Sequence, residues 1–428
     1  MGKYFGTDGI RGKYGDNLDV SLAYKTGMAL AEYFGKGEFF IARDTRVSGP
    51  KIESALVSGI CDGGCNAVLC GIVPTPAVAY LVKKHKGVCG IMISASHNPA
   101  EYNGIKIFDG SGVKLSEEQE GSVEYYIDNP SIRTAKKGSS KELKSAAAEY
   151  IDHMIKSANI SLKGLKVWLD CCYGAASTVA KDIFVGLGAD VTVENYKLRG
   201  EKINAGCGAL HPDYVLNSML DTDTKVGFAF DGDADRLAVV YDGEIIDGDT
   251  VLYNISLSRE LKDGVVVGTI LSNLALENKL IEEGKRFVRT PVGDKYICDL
   301  MFKKGYNLGG EQSGHFIVYP EATTGDGILS AIYVCKTIFD KGKLSPLKKL
   351  KLMPQKAISE PAEPSIMHNK DLLAMIDEYK EKLGKKGRLI VRMSGTEPRV
   401  RVMVECEDAG MVDSTLKAFK EFIKGVRS

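Results

Sequence analysis

A chain of 428 residues has room for about three domains, and its 56 basic and 56 acidic side chains cancel, which speaks against nucleic acid or an anionic membrane as partner and for small-molecule chemistry. No run approaches the roughly 18 apolar residues of a membrane span, and Met1–Gly6 lacks both a signal-peptide core and a myristoylation hydroxyl, so a cytoplasmic location is expected. Six of the ten cysteines, Cys61, Cys65, Cys70, Cys89, Cys298 and Cys335, lie in apolar runs, no Cys-x-x-Cys pair occurs, and neighbouring Cys171 and Cys172 rarely bridge without strain. Reduced, mostly buried thiols follow.

Along the chain, the strand-like run Phe39–Ala42, the helical run Ile52–Ile60 and the strand-like Ala67–Leu69 set a β/α rhythm that persists through the first three quarters. The apolar run Gly87–Ile93 then drops into Ser94-Ala95-Ser96-His97-Asn98-Pro99. Asn-Pro forces the backbone out of regular structure, and Ala95 leaves Ser96 uncrowded at a strand end, where a nucleophile belongs; such turns also occur simply as turns. Lys106, between Ile105 and Ile107, would on general grounds be a solvated strand residue. A polar stretch from Asn129 to Ser145 closes the first segment, and a helix rich in Ala and Tyr follows.

The second segment runs through the strand Lys166–Leu169 to the apolar run Val226–Phe230, which empties into Asp231-Gly232-Asp233-Ala234-Asp235-Arg236. Three carboxylates at alternate positions suit a hard cation such as Mg2+. A calcium loop would need flanking helices and a glycine where Arg236 stands, although Asp242 falls at its twelfth position. An aspartyl phosphotransferase would fit Asp231 alone and leave Ser96 and Glu311 unexplained. After the turn Asp247-Gly248-Asp249, the third segment carries Gly309-Gly310-Glu311-Gln312-Ser313-Gly314-His315, a glycine-flanked loop fit for hydroxyl recognition. The basic, Pro-punctuated stretch Lys343–Pro364 reads as a linker. Beyond it, a helix at Lys370–Leu383 precedes strands around Leu389 and Val402, joined by Arg392-Met393-Ser394-Gly395-Thr396-Glu397-Pro398. A small-residue turn with a hydroxyl and a guanidinium matches a phosphate dianion. Arg399 and Arg401 project from one face of the following strand, as the polar face of any half-buried strand would. The expected domains are 1–147, 148–247, 248–352 and 353–428. The three chemical loops of the first three follow short apolar runs, which points to one α/β design with its site at the same strand end.

Taken in this order, the four motifs resemble those of the α-D-phosphohexomutase family, and Phe5-Gly6-Thr7-Asp8-Gly9-Ile10-Arg11-Gly12 and Arg43-Asp44-Thr45-Arg46 match its first domain. Gln312 in the sugar loop, where the phosphomannomutase/phosphoglucomutase branch typically has Met, points to the bacterial amino-sugar branch. So do Ser394–Pro398, Ile203-Asn204-Ala205-Gly206-Cys207-Gly208 and Thr269-Ile270-Leu271-Ser272-Asn273. Ala209-Leu210 before His211, and Arg399, depart from the pattern. The resemblance implies three similar mixed α/β domains and a C-terminal α+β domain around a central cleft. It implies interconversion of glucosamine 6-phosphate and glucosamine 1-phosphate toward UDP-N-acetylglucosamine, through phosphoserine 96 and a hexose 1,6-bisphosphate, with phosphomannomutase/phosphoglucomutase activity as the alternative.

The resemblance also distributes roles. Ser96 is the phosphoryl carrier, and Lys106 the general acid/base, expected to have a lowered pKa through desolvation near a metal. Asp231, Asp233, Asp235 and a phosphoserine oxygen hold Mg2+. Arg11 and His97 assist the phosphoserine, Arg43 being either a helper or half of a surface salt bridge, and no Ser-His relay is expected. Glu311, Ser313, His315, Arg236 and the loop Gly293, Asp294, Lys295 bind the sugar phosphate. Arg392, Ser394, Gly395, Thr396 and Arg401 hold the phosphate that is not reacting. The partners implied are a small-molecule sugar phosphate, no nucleic acid and no membrane, with a homodimer compatible.

Overall fold

The apolar runs become the inner strands of mixed sheets. In the first sheet, Phe5–Gly6 (β1), Gly9–Lys13 (β2), Glu38–Arg43 (β3), Asn66–Ile72 (β4), Cys89–Ile93 (β5), Tyr102–Asp109 (β6) and Ser140–Glu142 (β7) lie in the order β1-β2-β6-β5-β3-β4-β7. β5 is buried along its whole length, parallel to β3 and antiparallel to β6. The computed structural model describes residues 2–6, 8–131, 136–394 and 398–426. It divides into two compact units, 1–271 with 286–348, and 272–285 with 349–428.

The second sheet takes Lys166–Asp170 (β8), Asp190–Glu194 (β9), Val226–Phe230 (β10), Leu237–Tyr241 (β11) and Glu244–Ile246 (β12) in the order β12-β11-β10-β8-β9. A third orders Val265–Thr269 (β13), Arg286–Thr290 (β14), Leu308–Gly310 (β15) and Phe316–Val318 (β16) as β14-β13-β15-β16. β5, β10 and β15 each run parallel to one neighbour, β3, β8 and β13 respectively. The loops bearing Ser96, Asp231 and Glu311 therefore all leave the carboxyl ends of strands, where side chains from a rigid sheet can converge without disturbing its ladder. Strands flank the three aspartates on both sides, as the argument against a calcium loop requires. All ten cysteines are unpaired thiols, nine of them buried. Among the described residues no helix is long and apolar enough to cross a membrane.

Two stretches read as irregular are strands. β7 lies within the polar segment Asn129–Ser145 and pairs in parallel with β4 at the sheet edge, wholly exposed; a strand held by backbone bonds alone leaves no hydropathy signal. The presumed linker Lys343–Pro364 contains Lys343–Leu344 (β18), which pairs with Phe339–Asp340 (β17), and Gln355–Pro361 (β19). In the second unit β19 joins Gly387–Met393 (β20) and Arg399–Cys406 (β21) in the antiparallel order β19-β21-β20. Prolines at the ends of an edge strand are permitted, since they remove no inner ladder bond. The helix Leu274–Glu282 belongs to this unit: buried Glu405 accepts from the Leu274 amide at 2.6 Å and pairs with Arg388.

One buried acid in the first unit gives the fold a pH signature. Asp326 caps the helix Gly327–Ile338 by accepting from the Leu329 amide, and accepts from Tyr150 Oη at 2.6 Å. Burial raises its carboxyl from 3.8 to about 6. A raised carboxyl stabilises the fold below its unfolded value and loses that contribution as pH climbs through the folded one. Relative to Asp326→Asn, wild-type stability should therefore fall by about 2–3 kcal/mol as pH rises from about 4 to about 7. Urea unfolding of both proteins across this range measures it, and a pH-independent difference would contradict the assignment.

Candidate active site

Ser96 sits just past β5 with φ at +51°, the left-handed region that a residue with a Cβ enters only under constraint. The constraint is Arg46, whose side chain is fully buried. Its guanidinium donates to the carbonyls of Ser96 at 2.9 Å, Asn98 at 2.8 Å, Pro99 and Tyr102 at 2.9 Å, while its Nε meets Asp44 at 3.0 Å. Asp44 also accepts from Ser94 Oγ at 2.6 Å, and Ser94 Oγ accepts from the Ser96 amide. From the second domain, Asn204 donates to the carbonyls of Ser96 and Asn98. Gly232 comes so close that a Cβ there would lie 2.6 Å from Ser96 O. Arg43, by contrast, pairs with Glu53 at 3.2 Å, the surface-type alternative.

The nucleophile candidate faces the aspartates directly. Ser96 Oγ donates to Asp231 Oδ2 at 2.5 Å and lies 3.5 Å from Asp235 Oδ1. Asp231, Asp233 and Asp235 are all buried, each with a carboxylate oxygen within 4.8 Å of the others. Asp233 Oδ2 accepts from Thr75 Oγ1, whereas its Oδ1 is buried with no hydrogen-bond partner. Hard anionic oxygens at this spacing, one of them unsatisfied, fit a divalent cation of the magnesium type. Burial, reinforced by Asp235 and Asp233, pushes the Asp231 carboxyl well up.

Lys106 lies 1 % exposed in β6, not on a solvated face. Its Nζ is 2.7 Å from Asp235, 2.8 Å from Asp233 and 3.2 Å from Asp8. The expected lowering of its pKa is not what this setting produces. Burial does act downward, but Asp233, Asp235 and Asp8 outweigh it and hold the ammonium well above the usual lysine range. The carboxylates around Lys106 thus favour its ammonium form.

The remaining first-unit candidates gather around this centre. His97 Nδ1 is 3.3 Å from Ser96 Oγ, and burial with Arg236 and Arg11 lowers its imidazole to about 4, leaving it neutral. Arg11 donates to Asn98 Oδ1 at 3.1 Å and to Asp8 at 2.7 Å. Arg236 has a buried Nε with no partner, and its charge is favoured by Asp235 and Asp231 against the cost of burial. Glu311 accepts from the Gly293 amide at 3.1 Å, and burial raises its carboxyl. His315 lies 3.3 Å from Asp294 and 3.8 Å from Asp235. Lys295 pairs with Glu120 at 2.7 Å, and Ser313 is exposed. Sequence reasoning missed Asp8, Lys114, Asn204 and the clamping role of Arg46; each reaches at least one partner far away in the chain.

In the second unit, Arg392 on β20 and Arg401 on β21 are register partners on one sheet face. Neither forms an ion pair among the described residues, and burial together with Arg401 lowers the Arg392 pKa. Arg392 Nη1 donates to Met393 O at 3.4 Å, and two guanidiniums side by side are chemically suited to an anion that would relieve their repulsion. Ser394 is buried beside them in sequence, while Arg399 donates to Ser359 Oγ at 2.9 Å. Gly395 and Thr396 lie outside the described residues.

Models of the four phosphoglucomutase/phosphomannomutase domains match the chain in order: alpha/beta/alpha domain I over residues 2–133, domain II over 148–244, domain III over 247–355 and the C-terminal domain over 353–421. Phosphoglucosamine mutase from Caldanaerobacter subterraneus subsp. tengcongensis is 39% identical, with 99% of each chain covered. A phosphoglucomutase/phosphomannomutase family protein from Burkholderia thailandensis shares the fold at TM-score 0.81 and 24% identity, over 99% of this chain and 97% of the other. An Aspergillus fumigatus N-acetylphosphoglucosamine mutase, solved in complex with GlcNAc-6P and magnesium, does so at TM-score 0.66 and 17% identity, over 97% and 94%. A buried serine over an acidic triad, four consecutive domain matches and full-length relatives have one explanation: the chain belongs to the phosphoglucomutase/phosphomannomutase family, the α-D-phosphohexomutases, and is most like its bacterial phosphoglucosamine mutases.

Proposed function

We propose that this chain interconverts glucosamine 6-phosphate and glucosamine 1-phosphate. The observation that carries the chemistry is the Ser96 hydroxyl 2.5 Å from Asp231, over a buried carboxylate triad shared with Lys106. The choice of sugar rests on the full-length likeness to phosphoglucosamine mutases. Ser96 carries a phosphoryl group and gives it to the free hydroxyl of the hexose phosphate: the P–Oγ bond breaks, a P–O bond to the sugar forms, and a 1,6-bisphosphate results. The bisphosphate turns end for end and its other phosphoryl group returns to Ser96.

Asp231, Asp233, Asp235 and a phosphoserine oxygen would hold Mg2+, which when bound neutralises charge on the transferring group. Lys106, an ammonium at rest, protonates the departing oxygen and takes up the proton of the entering hydroxyl, so no net proton leaves. Asp235 links it to the reacting centre, lying 2.7 Å from Nζ and 3.5 Å from Ser96 Oγ. Arg11 braces the serine loop through Asn98. Glu311, Ser313 and His315 read the sugar, and Arg236 with the loop Gly293, Asp294 and Lys295 lines the cleft that receives it. Arg392, Ser394, Gly395, Thr396 and Arg401 hold the phosphate that is not reacting, which aligns the other end for in-line transfer.

Competition tests the sugar. With a hexose 1,6-bisphosphate supplied as activator, glucosamine 6-phosphate should exceed glucose and mannose 6-phosphates in kcat/KM by about tenfold or more, the worth of one charge-assisted hydrogen bond to its 2-ammonium group. A preference for glucose or mannose phosphate moves the chain to the other branch of the family and leaves Ser96 and the aspartates in their roles.

A further inference from the structure

The ion pairs of the site close on themselves. Lys106 reaches Asp235 at 2.7 Å and Asp8 at 3.2 Å. Asp235 lies 3.8 Å from His315 Nδ1, whose Nε2 is 3.3 Å from Asp294. Asp294 pairs with Lys114, and Lys114 returns to Asp8 at 2.5 Å. Six side chains, carboxylates alternating with basic groups, thus form a ring, drawn from the first sheet's domain (Asp8, Lys106, Lys114), the second's (Asp235) and the third's (Asp294, His315). Each link joins a carboxylate to a basic group, and a link drawn out of water is costly to leave unanswered.

Lys114 is the member that the reaction itself does not explain. It lies outside the nucleophile loop, the triad and the sugar loop, yet its side chain is only 10 % exposed. A built turn delivers it: Asp109 Oδ1 accepts from the Ser111 and Val113 amides, and Lys114 bridges back to Phe108. Without its charge, Asp8 would answer to Lys106 and Arg11 alone, drawing Lys106 from Asp233 and Asp235. Asp294 would likewise draw His315 from Asp235. Both halves of the ring depend on one ammonium.

We propose that Lys114 is a positioning residue for phosphoryl transfer: through Asp8 it fixes Lys106, and through Asp294 and His315 it fixes the sugar-side loop, so that the two are set together. The inference rests on the reading of Lys106 as the proton-exchanging group. In the full chain, Lys114→Gln should lower kcat by about tenfold or more while KM stays within about threefold, the split expected when alignment rather than binding is lost. Lys114→Arg should restore most of the rate. Lys114→Gln combined with Asp294→Asn should fall no further than the worse single variant, because both open one link. A wild-type kcat in Lys114→Gln, losses that multiply in the double variant, or Lys114→Arg as slow as Lys114→Gln would each overturn the proposal. If Lys114→Gln melts below the assay temperature, Asp294→Asn opens the same link and must show the kcat loss; an unchanged kcat there overturns it equally. Wild-type turnover in the same assay tests the functional reading by itself, and the ratio of variant to wild type tests the ring.

Discussion

Ser96→Ala should lower mutase turnover by several orders of magnitude while leaving the fold in place. The substitution removes the oxygen that carries the phosphoryl group, and positioning alone cannot replace a covalent carrier. The fold tolerates the loss for two reasons. Alanine meets the same steric limits as serine at φ +51°, and the loop is held through the Ser96 carbonyl and amide, which the substitution keeps. Near-ultraviolet circular dichroism should match wild type, and phosphopeptide mapping of the purified wild type should find partial phosphate on Ser96. An active alanine variant with stable phosphate elsewhere would return the nucleophile's role to an aspartate.

What the sequence made legible follows from how far apart the interacting residues lie. β10 was readable residue for residue, because a buried strand followed by a polar loop writes both its hydropathy and its chemistry into one short window. The four motifs were readable for the same reason. Arg46 was not: it stands two residues beyond Asp44 in a motif recognised as a block, and its four backbone acceptors lie 50 to 56 positions away. Arg43 looked no different from it until Glu53 and the serine loop were placed. The charge state of Lys106 was misread because desolvation can be guessed from apolar neighbours, whereas the opposing carboxylates come from residues 8, 233 and 235. Local pattern supplied the sign of the burial effect, and only the fold supplied the larger effect against it.

Arg46→Met should show that the serine loop's conformation is a requirement separable from stability. Removing one partner of a buried ion pair leaves the other charge unanswered and typically costs about 3–5 kcal/mol. Here Asp44 is fully buried, and burial raises its carboxyl even with Arg46 beside it. Losing Arg46 would raise that carboxyl further toward its neutral form. The carbonyls of Ser96 and Asn98 keep Asn204 as a donor and that of Pro99 keeps the Tyr102 amide, but they lose the guanidinium that ties the loop together. Ser96 would then relax from its left-handed backbone, moving Oγ from Asp231. Replacing Asp44 with Asn as well removes the buried acid while keeping an acceptor for Ser94. The double variant should therefore regain stability in urea unfolding without regaining turnover. Arg46→Lys should be nearly as slow as Arg46→Met, since a lysine offers three donors from one point and cannot reach four carbonyls and Asp44 together. Turnover recovering in step with stability across these variants would mean that Arg46 serves the fold alone, and that the loop finds its catalytic shape without it.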